Sequence, residues 1–256
     1  GKTYSSIKRL MEAESGVYLA PLRLLALEIQ DKLNSENIAC SLLTGEEENI
    51  LSYAYHVSST IEKLQLETPY DICVIDEAQM IADKQRGWAW TRAILGVLSP
   101  EVHICMAPEA LDIVIKLIKD CKDTYEIIEH KRDTKLIFED KPFDLNKDVK
   151  KGDALVVFGK RKALAVSAQL LNNNIKTSII YGSLPYSTRK KQFERFLDGE
   201  TEVIVCTDAI GMGVNLPIKR IVFLETRKYD GVSLRKLNVS EIKQIAGRAG
   251  RKGIYN

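Results

Sequence analysis

Short apolar runs alternate with longer segments of helical periodicity along the whole chain. The runs predict β-strands and the longer segments predict α-helices, because a strand buried on both faces is a continuous apolar stretch. In the first half, strands are predicted at 16–20, 71–75 and 102–106, and helices at 22–33, 86–98 and 109–118. In the second half, strands are predicted at 154–158, 177–181, 203–206 and 220–224, and helices at 160–171 and 187–197. This alternation is typical of a mostly parallel sheet with helices on both faces, so the predicted fold class is α/β.

A charged stretch separates the two series of strands and helices. Residues 131–152 are rich in charge and contain Pro142, a composition typical of a linker. The apolar residues 136–138 within this stretch are a candidate first strand of the second half. With 256 residues the chain is long enough for two domains that each bury a core, and we predict domains at 1–132 and 133–256. Length alone also allows a single large α/β domain.

The composition excludes several classes of protein. Hydrophobic residues make up 45% of the chain and charged residues 28%, as in soluble globular proteins. Because no apolar run reaches the roughly 20 residues that cross a bilayer, we expect no membrane association. The five cysteines are scattered without a Cys-x-x-Cys pair, which favours reduced thiols in the core of an intracellular protein. The three histidines are isolated from other metal ligands, so a zinc site is not expected.

The formal net charge of +2 conceals an uneven distribution of charge. Residues 151–256 contain 19 lysines and arginines against 9 acidic residues, whereas the preceding part of the chain is acidic on balance. A basic half favours a polyanionic partner that is bound mainly through the C-terminal part. Random variation of surface charge is the alternative interpretation, and the charge balance alone does not separate the two.

The first three residues match the end of a phosphate-binding loop. Gly1, Lys2 and Thr3 match the last three positions of the pattern G-x-x-x-x-G-K-[ST], and the first five positions are missing. In that pattern the lysine reaches the β and γ phosphates and the hydroxyl binds Mg²⁺. A segment of helical periodicity follows directly, which is the expected context. We therefore expect the chain to be truncated at its N-terminus.

Two adjacent carboxylates follow the predicted strand at 71–75. Burying Asp76 and Glu77 at a strand end is unfavourable unless a cation compensates for their charge, and Mg²⁺ bound to a nucleotide would do so. We assign Asp76 to Mg²⁺, and Glu77 to orienting and deprotonating the attacking water. A solvated turn after a strand is the alternative.

Two segments of the second half add candidate ligands. The loop at 207–215 follows a strand and contains two glycines that allow close approach to a ligand, although an ordinary loop would have the same composition. Gln244, Arg248 and Arg251 lie in or beside a predicted helix from Ser240, with Ser240 as its N-cap. The two arginines can direct two cations at one polyanion, such as a developing triphosphate charge. A solvated cationic face is the alternative.

The sequence also predicts a β-hairpin and the positions of two tryptophans. Residues 225–239 contain Tyr229, Asp230 and Gly231 between extended stretches and predict a β-hairpin, for which strand separation is a hypothesis. Trp88 and Trp90 lie in a segment of helical periodicity and are expected to pack in the core.

The combination of motifs resembles a known family. The segments GKT, DEAQ, TDAIGMGVN and QIAGRAGR, in this order, resemble the two tandem RecA-like domains of a superfamily 2 helicase of the DExH class. The segments around 16–22, 44–47, 76–92 and 181–185 more narrowly resemble the RNA helicase of the mitochondrial degradosome, the suppressor-of-Var type, and its bacterial relatives. This resemblance extends over nearly the whole chain.

The resemblance implies an ATP-driven, 3′-to-5′ RNA helicase that uses ATP and Mg²⁺. It implies a nucleotide-binding set of Gly1, Lys2, Thr3, Asp76, Gln79 and Gly213, with Thr3 and Asp76 at the metal. It implies catalytic roles for Glu77, Gln244, Arg248 and Arg251, the last three facing the γ-phosphate from the second domain. It implies nucleic-acid contacts at Pro21, Arg23, Thr60, Gly182 and Thr207.

The partners implied by the resemblance are RNA, with DNA or an RNA–DNA hybrid as the alternative, and an exoribonuclease. The expected location is the bacterial cytoplasm, with the mitochondrion as the alternative. Two other functions stay open. One is a DNA helicase or translocase, and the other is a non-catalytic RNA-binding module if the phosphate loop is absent.

Overall fold

The computed structural model describes residues 2–130, 135–211 and 216–250, without the side chain of Lys2. The chain divides into two compact units, unit 1 at Gly1–Lys131 and unit 2 at Arg132–Asn256. The domain limits at 132 and 133 stay a prediction, because the residues on both sides of them lie outside the described ranges.

Unit 1 is built on a six-stranded sheet. Its strands are β1 Gly16–Ala20, β2 Cys40–Leu43, β3 Glu48–Asn49, β4 His56–Thr60, β5 Ile72–Ile75 and β6 Glu101–Ile104. Its helices are α1 Lys2–Glu12, α2 Arg23–Ser35, α3 Gly87–Gly96 and α4 Leu111–Asp120. The strand order is β3-β2-β4-β1-β5-β6, and every neighbouring pair is parallel except β2 with β3.

Helices cover both faces of this sheet. Val17 and Cys73 belong to a buried cluster with Trp90 of α3 on one face. On the other face α1 approaches so closely that a Cβ added to Gly16 would lie 2.4 Å from Cδ1 of Leu10. A glycine is therefore required where α1 crosses β1.

Three strands of unit 1, β2, β3 and β4, were not predicted, and the reason is clear for β4. Its sequence is His-Val-Ser-Ser-Thr, yet it lies inside the sheet between β2 and β1. Its polar groups are buried with hydrogen-bond partners: the Ser58 hydroxyl donates to the Ala26 carbonyl at 2.7 Å, and Nε2 of His56 lies 3.0 Å from the Leu10 carbonyl. A search for apolar runs cannot find a strand whose buried positions are satisfied by hydrogen bonds rather than by hydrophobic contact.

Unit 2 contains a four-stranded parallel sheet and a separate hairpin. Its strands are β7 Asp153–Val156, β8 Thr177–Ile180, β9 Val203–Cys206, β10 Arg220–Phe223, β11 Arg227–Tyr229 and β12 Leu234–Lys236. Its helices are α5 Lys160–Asn172, α6 Tyr186–Leu197 and α7 Val239–Ala246. The parallel sheet has the order β10-β7-β9-β8, and β11 pairs with β12 in an antiparallel hairpin. The hairpin prediction is confirmed.

The sheet of unit 2 also has an apolar cluster on each face. Val156 packs with Phe193 of α6 and Ile245 of α7, whereas its neighbour Leu155 packs with Leu170 of α5. Because successive residues of a strand point to opposite faces, α5 lies on one face and α6 and α7 on the other. The α/β class with mostly parallel sheets and helices on both faces is confirmed.

The predicted strand at 136–138 is wrong. These residues have no regular structure, and Ile137 and Phe138 are exposed by 83% and 86%. Three apolar residues do not form a strand where no neighbouring strand supplies hydrogen-bond partners. The following part of the predicted linker packs on unit 2, where the Arg220 guanidinium donates to Glu139 and to Asp153 and lies 5.5 Å from the Phe143 ring.

Two other expectations need correction. Helix α7 is capped by Asn238 rather than Ser240, since the Asn238 side chain accepts from the Glu241 N–H and Glu241 reciprocates in a capping box. Trp90 is fully buried as predicted, but Trp88 is 55% exposed, because it lies on the outer side of α3.

Within the described residues, no helix combines the length and apolar character needed to cross a lipid bilayer.

Candidate functional site

The predicted site residues of unit 1 lie at the carboxyl ends of three neighbouring strands. β4, β1 and β5 are adjacent and parallel, with Ala20 opposite Thr60 and Leu19 opposite Ile75. Pro21, Thr60 and Asp76 therefore lie along one edge of the sheet. In open parallel sheets this edge is where ligands bind.

Asp76 is buried at this edge and is surrounded by neutral hydrogen-bond donors. Its side chain accepts from the Tyr18 hydroxyl at 2.7 Å, the Thr3 hydroxyl at 3.2 Å and the Glu77 N–H at 3.0 Å. Only 4% of the residue is exposed. Burial, followed by the nearby Glu77 charge, raises the pKa of Asp76 in spite of these donors.

The oxygen atoms around Asp76 fit a Mg²⁺ ion. A carboxylate and a hydroxyl are the hard oxygen ligands that Mg²⁺ prefers, and Thr3 and Asp76 present them 3.2 Å apart. Within the described part of the chain, no basic side chain forms an ion pair with Asp76. A buried carboxylate without a cationic partner is unfavourable, and a bound cation would remove that penalty.

Tyr18 is a site residue that the sequence did not reveal. It is 1% exposed, and its hydroxyl donates to Oδ2 of Asp76. Burial, followed by the Asp76 charge, raises the pKa of Tyr18 well above its ordinary value, so the phenol stays a neutral donor. Its position within an apolar strand gave no sign of this role, because the partner is distant in the sequence.

Glu77 has a left-handed backbone conformation, with φ of 49° and ψ of 44°. The other described non-glycine residues with positive φ, Asn37, Lys122 and Asn174, lie just after helices, where this conformation is common. Glu77 instead follows a strand. Such a conformation persists only where neighbouring groups hold it, and it is concentrated at functional sites.

Gln79 connects Glu77 to the loop after β6. Its amide nitrogen donates to Oε2 of Glu77, and its amide oxygen accepts from the Ala107 N–H at 3.0 Å. Within unit 1, Gln79 therefore orients the Glu77 carboxylate. The predicted roles of Gln79 in binding nucleotide and in coupling two domains stay predictions.

The three predicted nucleic-acid contacts of unit 1 differ in exposure. Pro21 is buried and Thr60 is 8% exposed. Arg23 is exposed and forms ion pairs with Glu46 and Glu47. The hydrogen bond to Glu47 is the largest cause of a raised Arg23 pKa.

Gly182 and Thr207 follow neighbouring strands of unit 2. The Thr207 N–H donates to the Ile180 carbonyl at 2.9 Å, which extends the pairing of β8 with β9. Thr207 is 7% exposed and its hydroxyl accepts from the Ala209 N–H at 3.3 Å. A Cβ added to Gly182 would meet no atom within 4 Å, so this loop is open.

Gln244 and Arg248 lie against Gly211. A Cβ added to Gly211 would lie 3.6 Å from Cγ of Gln244, and Nη2 of Arg248 donates to the Gly211 carbonyl. Arg248 is only 7% exposed, so the interpretation as a solvated cationic face does not apply to it. Gly1, Gly213, Arg251 and the side chain of Lys2 lie outside the described residues.

A network of ion pairs connects the hairpin to helix α7. Lys228 of β11 forms ion pairs with Asp208 at 3.2 Å and Glu241 at 2.6 Å, and Arg235 of β12 contacts Glu241 at 2.8 Å. Hydrogen bonds from Arg235, followed by those from Lys228, lower the pKa of Glu241 to about 2. Glu241 therefore attaches the hairpin to the helix that carries Gln244.

Comparison with protein families identifies both parts of the chain. Residues 1–130 match the family model described as the DEXQ-box helicase domain of Suv3, and residues 140–253 match the helicase conserved C-terminal domain.

Named proteins match over nearly all of the chain. The mitochondrial DExH-box ATP-dependent RNA helicase DExH18 of Arabidopsis thaliana is 45% identical over 99% of this chain and 33% of its own length. The mitochondrial ATP-dependent RNA helicase SUV3 of Saccharomyces cerevisiae is 44% identical over 98% of this chain and 35% of its length. The chain thus spans about a third of the length of these curated relatives.

A solved structure shows the same fold at low sequence identity. Saccharomyces cerevisiae Dbp5 bound to RNA and ADP BeF3 has a TM-score of 0.65 and 18% identity, over 99% of this chain and 74% of that chain. This likeness supports the predicted fold of tandem RecA-like domains within the α/β class.

Proposed function

We propose that this chain, which belongs to the Suv3 family of DEXQ-box helicases, forms the ATP-hydrolysing motor of an RNA helicase. The observation that carries the proposal is the buried Asp76 carboxylate held between the Thr3 and Tyr18 hydroxyls, with Glu77 beside it at the strand ends. The relatives described above are ATP-dependent RNA helicases, and this supports ATP as the nucleotide and RNA as the polymer.

Unit 1 supplies the groups for ATP hydrolysis in this proposal. Thr3 and Asp76 would hold Mg²⁺, which when bound compensates part of the triphosphate charge. Glu77 accepts a proton from the attacking water and orients that water. The Gln79 amide donates a hydrogen bond to Oε2 of Glu77. We assign the other oxygen, Oε1, to the attacking water. Gly1 and Lys2 complete the phosphate contacts.

Unit 2 supplies cationic and amide groups for the triphosphate. We assign Gln244, Arg248 and Arg251 to contacts with the γ-phosphate and Gly213 to the nucleotide. The support for Gln244 and Arg248 is their common position against Gly211, in the loop that follows β9. Guanidinium groups suit this role because their planar donors match phosphate oxygens.

The nucleic acid is proposed to run along the strand ends of both units. Pro21, Arg23 and Thr60 contact it from unit 1, and Gly182 and Thr207 from unit 2. Backbone groups and hydroxyls bind phosphates without reading the bases, as a motor that moves along RNA requires. We propose RNA as the polymer and 3′-to-5′ as the direction. DNA or a hybrid duplex is the alternative.

We propose a mitochondrial location for this protein. The relatives described above are mitochondrial proteins by name, which supports the mitochondrion over the bacterial cytoplasm that the sequence first suggested. We also propose an exoribonuclease as the partner. Cell fractionation with an antibody against this chain, followed by co-purification at endogenous levels, tests both statements.

The Glu77→Gln substitution tests the proposed hydrolysis. In a protein that carries this chain behind a complete phosphate loop, we expect RNA-stimulated ATP hydrolysis to fall by about 10²–10⁴-fold, because the water loses its base. Glu67→Gln is the matched control, since Glu67 is exposed and precedes β5 at the opposite end of the strand. Wild-type turnover in the Glu77→Gln protein would overturn the proposal.

The nature of the polymer is tested by the same assay. We expect single-stranded RNA to activate ATP hydrolysis more strongly than single-stranded DNA of the same length. Stronger activation by DNA would favour the DNA translocase. RNA binding without any ATP hydrolysis would favour a non-catalytic RNA-binding module.

A further inference from the structure

Arg86 connects two of the strand ends to helix α3. It lies just before α3, and its guanidinium donates to the Pro21 carbonyl after β1 and to Glu62 after β4, the latter at 2.7 Å. The same guanidinium lies 5.6 Å from the centre of the Trp90 ring. Arg86 therefore contacts both loops that carry predicted nucleic-acid contacts in unit 1, as well as a buried aromatic residue one helical turn away.

Trp90 continues this connection to the hydrolysis site. It is fully buried, and its indole N–H donates to the Asp76 carbonyl at 3.0 Å. That carbonyl belongs to the peptide bond that joins Asp76 to Glu77. Trp90 thus fixes the peptide plane on the N-terminal side of Glu77.

The left-handed conformation of Glu77 depends on the peptide planes on both sides. The preceding plane is held by Trp90, and the following plane is held by the Ala78 N–H, which donates to the Cys105 carbonyl at 2.9 Å. A left-handed conformation is unfavourable for glutamate in isolation. A small displacement of Trp90 therefore changes the direction of the Glu77 side chain. The change is larger than it would be for a residue in a favoured backbone conformation.

The start of α3 is also packed tightly on the turn that follows Glu77. A Cβ added to Gly87 would lie 2.2 Å from the Ile81 carbonyl oxygen, so only glycine allows this approach. Ile81 belongs to the short helical turn Ala78–Ala82. If the N-terminus of α3 moves, the turn Ala78–Ala82 directly after Glu77 therefore moves with it.

We infer that Arg86 and Trp90 are positioning residues that couple nucleic-acid binding at the loops of Pro21 and Glu62 to the orientation of Glu77. The inference rests on the proposed function. The geometry favours coupling from the nucleic acid inward to Glu77. The side chains of Arg86 and Glu62 are exposed by 32% and 29%, whereas Trp90 is fully buried. RNA at the strand ends can reach the outer part of the connection, and the inner part ends at the Asp76 carbonyl.

Helix α3 offers matched controls for both residues. Arg92 also donates from Nη2 to a backbone carbonyl, that of Leu64 at 2.9 Å, but this contact involves neither the Pro21 carbonyl nor Glu62. Trp88 is the exposed tryptophan of the same helix. Arg92→Gln and Trp88→Phe therefore repeat the chemical changes of Arg86→Gln and Trp90→Phe without breaking the connection.

The first measurement is RNA stimulation of ATP hydrolysis, in the chain behind a complete phosphate loop. We expect the ratio of RNA-stimulated to unstimulated turnover to fall about tenfold in Arg86→Gln and Trp90→Phe, the effect of losing one charged or buried hydrogen bond. Arg86→Lys keeps the charge opposite Glu62 but not the planar fork, so we expect partial recovery. The two control variants should keep the wild-type ratio.

The second measurement is amide hydrogen exchange in the 256-residue chain itself, with and without a single-stranded RNA of about 20 nucleotides. We expect RNA to slow exchange of the Glu77, Ala78 and Met80 amides in the wild type and in both controls. In Arg86→Gln and Trp90→Phe this protection should be lost. The protection of the loop that carries Thr60 and Glu62 should remain. This arm does not depend on ATP, and exchange in β5 shows in the same data whether each variant is folded.

The outcomes separate the coupling from the proposed function. Absence of RNA-stimulated hydrolysis in the wild type would overturn the proposed function, whereas the exchange arm would still report on the coupling. Full stimulation and full protection in folded Arg86→Gln and Trp90→Phe would overturn the coupling. Equal losses in Arg92→Gln and Trp88→Phe would also overturn it, because the effect would then be a general property of α3.

Discussion

Each unit places charged side chains at the carboxyl ends of its central strands, but the two units balance these charges differently. In unit 1, Asp76 is surrounded by the neutral donors of Tyr18 and Thr3. In unit 2, Asp208 and Glu241 are balanced by Lys228 within the same unit. Charge that is balanced internally holds elements together, whereas Asp76, which has no ion pair among the described side chains, suits a ligand that brings a cation.

The comparison predicts opposite effects of substitution in the two places. Removing the charge of Asp76 should affect activity without costing stability. Removing the charge of Glu241 should affect the stability of unit 2.

The largest expected effect is that of Asp76→Asn on ATP hydrolysis. Asparagine keeps the shape of the side chain and removes the charge that would hold Mg²⁺, so we expect turnover to fall about a thousandfold. Without Mg²⁺, the same variant should be at least as stable as the wild type at pH 7. The reason is that the raised pKa of Asp76 makes the ionised carboxylate unfavourable in the folded state.

The control for this prediction is Asp71→Asn at the other end of the same strand. Asp71 is exposed and accepts from the Ser15 N–H, so its loss should change turnover little. Turnover is measured with saturating ATP and RNA, and stability by urea unfolding in the presence of a chelator. A marked loss of stability in Asp76→Asn would contradict the idea that its charge is uncompensated.

A smaller effect is expected for Tyr18→Phe. The Tyr18 hydroxyl lowers the pKa of Asp76, so its removal should raise that pKa further. The acid limb of the pH profile of Mg²⁺-dependent ATP hydrolysis should then move to higher pH, and turnover at pH 7 should fall about tenfold. Tyr70→Phe is the control, because Tyr70 is a buried tyrosine at the amino end of β5. An unchanged pH profile would exclude Tyr18 as a partner of the ionised carboxylate.

Apolar runs predicted most of the sheet strands, although β2, a fully buried Cys-Ser-Leu-Leu strand, was missed. Three of the four strands of the unit 2 sheet are mainly apolar, and β7 and β9 lie inside it with every residue buried. β4 was missed because its seryl hydroxyls and imidazole are buried with specific partners that no local pattern reveals. Hydrophobic periodicity therefore finds strands stabilised mainly by burial of apolar surface, but it misses a strand such as β4, whose buried positions are all polar.

The candidate site divides in the same way. Asp76 and Glu77 could be predicted, because two carboxylates after an apolar run are unusual whatever surrounds them. Tyr18 and Trp90 could not be predicted, since a neutral aromatic residue in a strand or helix usually only packs. Their roles come from hydrogen bonds to Asp76, which require the tertiary structure. The position of Asn238 as N-cap was missed because Ser240 is an equally good capping residue by type.

The smallest expected effect is on the stability of unit 2 in Glu241→Gln. Glutamine can still take part in the capping box of α7, so the substitution mainly removes the charge that Lys228 and Arg235 balance. We expect a loss of about 1–2 kcal/mol in the free energy of unfolding at pH 7. The pKa of Glu241 is lowered from 4.5 to about 2 in the fold, so this contribution is present above pH 4.5 and disappears as the pH falls through about 2.

The two tryptophans allow this effect to be assigned to one unit. Both Trp88 and Trp90 belong to unit 1, so tryptophan fluorescence follows unit 1 alone and circular dichroism follows both units. Glu241→Gln should shift the urea transition seen by circular dichroism and leave the fluorescence transition in place. Glu200→Gln, which removes an exposed partner of Arg195, should shift neither measurably. Equal effects of the two substitutions on the circular dichroism transition would show that the ion pairs around Glu241 do not hold unit 2 together.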